Sequence, residues 1–86
     1  MKQSTIKAIT AETNKAQSKY GNFNSTHEAY AVLLEEVNEF WDLVQGVISF
    51  SDTEWKADRM KSELTQVASI ATRIIEQLED DQIKWV

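Results

Sequence analysis

The chain has 86 residues, 42% of them apolar and 27% charged, with a net charge of −5 and an isoelectric point near 4.7. This length supports one domain, residues 1–86, and the composition is that of a folded globular protein. The acidity weighs against nucleic acid as a partner, since phosphate-backbone binding draws on a basic face. No apolar run approaches the ~18 residues of a membrane span, no secretory leader pattern opens the chain, and cysteine is absent. The expectation is a cytoplasmic protein with no membrane partner.

Proline does not occur, and the two glycines, Gly21 and Gly46, divide the chain into three helical stretches. The first is expected over about residues 4–20, with Ile6, Ile9, Ala16 and Tyr20 forming a weak apolar stripe, and "GNFNS" reads as a turn. Ser25-Thr26-His27-Glu28 has the form of a capping box, which opens a second helix ending near Gln45 with Gly46 in the C′ position. After the connector "VISFSD", Ser51-Asp52-Thr53-Glu54 offers another capping box for a third helix reaching about Glu79, and "DDQIKWV" is a tail. A helix of 27 residues is about 40 Å long, whereas a compact domain of this size has a radius of gyration near 12 Å. The fold class expected is therefore all-α, a three-helix protomer that completes a helical bundle as a homodimer or homotetramer. The "GVISF" connector and the "KWV" tail are apolar enough to be contacts between copies.

Helical periodicity puts Tyr30, Leu33, Leu34, Val37, Phe40, Trp41 and Val44 in one wide apolar sector of the second helix, with Ala29, Val32 and Leu43 as a row on its flank. Glu36 interrupts that row, seven residues from both Ala29 and Leu43, and Glu39 borders it at i+3. Glu28, Glu35 and Asp42 fall on the wet face. The third helix carries Met60, Leu64, Val67, Ala71, Ile74, Ile75 and Leu78, with Ile70 at the edge, and Glu63 lies on that buried side with Gln66 beside it. A buried ionised carboxylate costs several kcal/mol unless compensated, and two facing each other repel. Two compensations are open. Glutamates at the margin of an apolar stripe snorkel to water or pair with Lys56, Arg59 or Lys61. Alternatively a divalent cation bridges them, and an all-oxygen donor set suits Mg²⁺ or Mn²⁺.

At these residues the chain resembles the MazG-like all-α nucleoside triphosphate pyrophosphohydrolases, whose signature is Glu-Glu-x-x-Glu on one helix and Glu-x-x-Asp on a following one. "EEVNE", residues 35–39, matches the first half, and "ELTQ", residues 63–66, follows after a spacer of 23 residues, with glutamine in place of the final aspartate. The resemblance covers roughly residues 26–79. It implies Mg²⁺ ligation by Glu36, Glu39 and Glu63, with Gln66 as an uncharged fourth ligand, and a role for Glu35 in positioning the attacking water. The implied reaction is hydrolysis of a (d)NTP to a monophosphate and pyrophosphate. Arg59, Gln66 and Arg73 share a heptad row, so Arg59 and Arg73 are candidates for binding substrate phosphates. Phe23, Trp41 and Trp55 are candidates for stacking on the base, and His27 points away from the acidic flank. The lost aspartate leaves an alternative, a non-catalytic binding or structural protein on the same fold.

Overall fold

The structure, a computed structural model, describes residues 1–46 and 53–85. They form three helices, α1 (Gln3–Tyr20), α2 (Thr26–Gln45) and α3 (Thr53–Glu79), and no strand; a lone bridge joins Ser25 and Lys84. The expected second capping box and the apolar connector, residues 47–52, lie outside the described residues. None of the helices described is long and apolar enough to cross a membrane.

The helix ends follow local chemistry. Gly21 and Gly46 end α1 and α2 at φ +70° and +73°, where an L side chain is strained, and the Gly46 N–H caps the carbonyls of Asp42 and Leu43. At the start of α2 the Ser25 Oγ accepts the Glu28 N–H at 3.1 Å, which is half of the anticipated box. The other half differs: the Glu28 carboxylate turns to Asn24, accepting its backbone N–H at 3.2 Å and its Nδ2 at 2.8 Å. At the end of α3, Asp81 takes the left-handed position (φ +55°) of a Schellman motif, with Gln82 N–H on Gln77 O and Asp81 N–H on Leu78 O.

The third helix is the shared element, packing against both α1 and α2. The core of the protomer is small: Phe23 from the turn, Ala29 from α2, Ile70 from α3 and Ile83 from the tail, with Val32, Leu33 and Ile74 against them. Two expectations are corrected here. On α2 the flank row, Ala29, Val32 and Leu43, faces inward, while Tyr30, Leu34, Val37, Trp41 and Val44 in the wide apolar sector are exposed. On α3 the edge residue Ile70 is buried, and Leu64, Ile75 and Leu78 are exposed. A protomer with three helices has too few neighbours to cover both stripes, and the radius of gyration of 14.3 Å, against about 12 Å for a compact chain of this length, shows the same thing.

The helix α1 is held differently. Thr13 is its one buried residue, whereas Ile6 and Tyr20 of the expected stripe are exposed. Polar contacts attach it to α3: Gln17 Oε1 accepts from Arg73 Nε at 3.0 Å and from Gln77 Nε2 at 3.1 Å, and Gln77 Oε1 accepts the Phe23 N–H at 2.9 Å.

The segment after α3 is docked rather than a free tail. Ile83 is 6% exposed, and the Lys84 carbonyl accepts the Thr26 N–H at 2.9 Å, satisfying one orphan donor of α2. Trp85 stays exposed. Replacing Ile83 with alanine removes most of one of the four buried side chains of this core. The expected cost is roughly 2–5 kcal/mol, read as a lower denaturant midpoint at unchanged slope.

Candidate metal centre

A cleft of about 680 Å³ runs between α1 and α2, with α3 as its floor and the turn at Gly21–Phe23 at one end. Because α1 touches α3 and not α2, the groove between the outer helices stays open. The inward flank of α2 brings Glu36 into it, flanked by Glu35 and Glu39, and α3 contributes Glu63 and Gln66. Thus Glu35, Glu36, Glu39, Glu63 and the uncharged Gln66 line one cleft.

Glu36, Glu39 and Glu63 converge: one oxygen from each lies within 4.8 Å of the others. Glu63 is buried and Glu36 half-buried, while Glu39 and Glu35 are exposed at the mouth. The Glu63 side chain is 7% exposed. Its Oε1 accepts from Arg59 Nε at 2.9 Å, and its Oε2 is buried with no hydrogen-bond partner. A buried carboxylate oxygen without a partner is costly. Here it belongs to a carboxylate clustered with two others, an all-oxygen donor set of the kind that holds Mg²⁺ or Mn²⁺.

The electrostatics match. Burial pushes Glu36 up to about 7, reinforced by the Glu63 carboxylate close beside it and by the neighbouring charges of Glu39 and Glu63. Glu39 is raised by the nearby Glu63 carboxylate and then by burial. For Glu63 burial works upward, but the nearby Glu39 and Glu36 carboxyls and the hydrogen bond from Arg59 outweigh it and hold the group below the usual range. The three titrate as a unit, with Glu36 and Glu39 shifted up and Glu63 down.

A stability prediction follows, with its sign. Glu36 binds a proton in the folded state that the unfolded chain releases, so its contribution is full below about pH 4.5 and is lost as pH rises through about 7. Glu63, with its lowered value, acts in the opposite sense, at and below 4.5. With divalent ions chelated, the melting temperature should fall between pH 4.5 and 7.5, and Glu36→Gln should flatten that fall.

Compared with known proteins, the chain matches no family model, no curated protein and no solved structure.

The remaining candidates are distributed as follows. Arg59 and Arg73 both line the cleft. Arg59 is engaged with Glu63, the pairing that periodicity had left open. Arg73 is buried, 4% exposed, where the heptad row suggested a solvated or phosphate-facing position. Phe23 lines the cleft but is itself a core residue, and Trp41 and Trp55 are outside the lining. His27 is exposed. What the sequence did not reveal is the wall supplied by α1: Glu12, Lys15, Ala16 and Lys19. Their i, i+3, i+4, i+7 spacing marks one helix face, but nothing in a weakly amphipathic helix says that this face meets a cleft rather than water.

Proposed function

We propose that this chain is a divalent-metal-dependent nucleoside triphosphate pyrophosphohydrolase that works as a homo-oligomer. One observation carries the reading: Glu63, whose Oε2 is buried and unpartnered, belongs to a cluster of three carboxylates that line an open cleft. Glu36, Glu39 and Glu63 would hold Mg²⁺ or Mn²⁺, with the Gln66 amide oxygen one helical turn beyond Glu63. Bound there, such a cation neutralises phosphate charge and lowers the pKa of water. Glu35, exposed in the same cleft, positions the attacking water and takes its proton. Water oxygen bonds to the α phosphorus, the bond from that phosphorus to the α–β bridging oxygen breaks, and pyrophosphate leaves.

The oligomer rests on the uncovered faces. Tyr30, Leu34, Val37, Trp41 and Val44 recur at alternating spacings of four and three, and Leu64, Ala71, Ile75 and Leu78 form a matching row on α3. Ile75 is two residues, about 200°, beyond Arg73, and Arg73 faces α1. The α3 row therefore lies away from α1, on the side left open for a second copy.

A second reading has its own support. The Arg59–Glu63 ion pair already compensates part of the acidic charge, and Gln66 brings none. A protein on this scaffold that binds without turning over would have these features. The test is Mg²⁺-dependent release of pyrophosphate across a panel of (d)NTPs. Turnover supports the enzyme, whereas metal and nucleotide binding without turnover supports the second reading.

A further inference from the structure

The cleft is electrically divided. At the open end stand Glu35, Glu36, Glu39 and Glu63 with Arg59; at the end closed by the turn stand Lys15, Lys19 and Arg73. The side chain of Gln17 bonds Arg73 and Gln77, which sets the level of α1 against α3. Lys15 and Lys19 line the cleft from α1 on either side of the level of Gln17, with Lys19 over the Tyr20 ring at 5.2 Å, while Glu12 is about 7.5 Å of helix rise from Gln17 toward the carboxylates. Glu28, the other acid at this end, has both oxygens engaged by Asn24.

Arg73 is the unusual member. It is 4% exposed, and among the described residues no carboxylate pairs with it. Neutral oxygens hold it instead: Nε donates to Gln17 Oε1 at 3.0 Å and Nη2 to the Gly21 carbonyl at 2.7 Å, with the guanidinium 4.5 Å above the Phe23 ring. A guanidinium has five N–H donors, so these two bonds leave others for a ligand in the cleft that it lines. Burial disfavours its charge. A cation placed out of water without a counter-ion, in a cleft that two lysines also line, is arranged for an anion.

We infer that the closed end of the cleft, Arg73 with Lys15 and Lys19, receives the β,γ-pyrophosphoryl part of the substrate, so that the nucleoside points outward past Glu39 and Arg59. The inference rests on the function proposed above for its substrate class. Two observations give the direction. Arg73 is ten residues beyond Glu63, about 15 Å of helix rise, part of which the two side chains take up. The remaining span suits an extended chain of phosphates better than a single one. In addition, Phe23 has its ring covered by Arg73 and is buried, so it offers no open platform for a base at this end. Selection should then act on the phosphate chain more than on the base.

The test uses calorimetry and amide NMR on the full chain. With divalent ions chelated, inorganic tripolyphosphate and pyrophosphate should bind and shift the amides of Gly21, Asn22 and Phe23, whereas a nucleoside should not. The double variant Lys15→Ala/Lys19→Ala changes two exposed residues and leaves the core intact. It should weaken tripolyphosphate at least about tenfold, raise KM for a nucleoside triphosphate by a similar factor, and leave nucleoside monophosphate affinity unchanged. Arg73→Lys should act in the same direction. Unaltered tripolyphosphate affinity in the lysine variant, or nucleoside-induced shifts at Gly21–Phe23, would overturn the assignment. The two readings fail separately: hydrolysis indifferent to all three cations leaves the enzyme and removes the subsite. Cation-dependent tripolyphosphate binding without any hydrolysis leaves the subsite and removes the enzyme.

Discussion

Replacing Glu63 with glutamine should abolish Mg²⁺-dependent pyrophosphate release while changing the stability of the metal-free protein little. The two effects have one cause. In the ground state the Glu63 charge is partly offset by Arg59 through Oε1, but Oε2 is buried and unpartnered, and the carboxylates of Glu36 and Glu39 lie close by. An amide keeps the oxygen that Arg59 uses and removes the charge that raises its neighbours. A cation loses a ligand at the same time. Even outer partners of metal ligands account for about 10–100-fold in affinity or activity, so a direct ligand should cost more than about 100-fold. Glu36→Gln should behave alike in turnover, with a gain in metal-free stability near pH 7.5, where the wild-type group is ionised. The opposite change, Gln66→Asp, adds charge to the donor set and should tighten Mg²⁺, while lowering metal-free stability. Calorimetric titration with Mg²⁺ and paired melts with and without chelator read all three. If Glu63→Gln and Glu36→Gln both kept turnover, this site would not be the active site.

Placing glutamate at both Trp41 and Ile75 should convert the proposed oligomer to monomers. Both side chains are more than half exposed in the protomer, on the two uncovered apolar rows. Neither supports the core made by Phe23, Ala29, Ile70 and Ile83, so folding should persist. In a two-fold interface each substitution counts twice. Full burial of a large apolar side chain stabilises by about 1.5–3 kcal/mol, so four lost positions amount to roughly 6–12 kcal/mol before any cost of burying charge. A micromolar dimer is held by only about 8 kcal/mol. Sedimentation of wild type and variant at micromolar concentration decides it, and a wild-type chain that sediments as a monomer removes the oligomer. Circular dichroism of the variant should still show the helices.

Much of this was legible in the chain itself, and the particular residues show why. The two glycines and the Ser25 cap mark helix ends through local rules of backbone conformation and hydrogen bonding, which need no tertiary context. The same is true of the heptad offsets that carry Glu36 and Glu63 off the wet faces. The convergence of Glu36, Glu39 and Glu63 followed from acids on the inward sides of two adjacent helices. Which apolar row would be the inner one did not follow. Both stripes on α2 have helical period, and only the position of α3 selects Ala29, Val32 and Leu43 over the more apolar Trp41 sector. Arg73 is a similar case: its heptad row is polar, and burial came from Gln17, the Gly21 carbonyl and Phe23, residues fifty or more positions away. The tail looked loose because Ile83 has no periodic neighbours, yet the hole beside Ala29 and Ile70 captures it. Local sequence determines where helices begin, end and turn their acids. Only packing, in which distant segments compete for a small amount of buried surface, decided which stripe became the core, which arginine lost its water, and that α1 closes one side of the cleft.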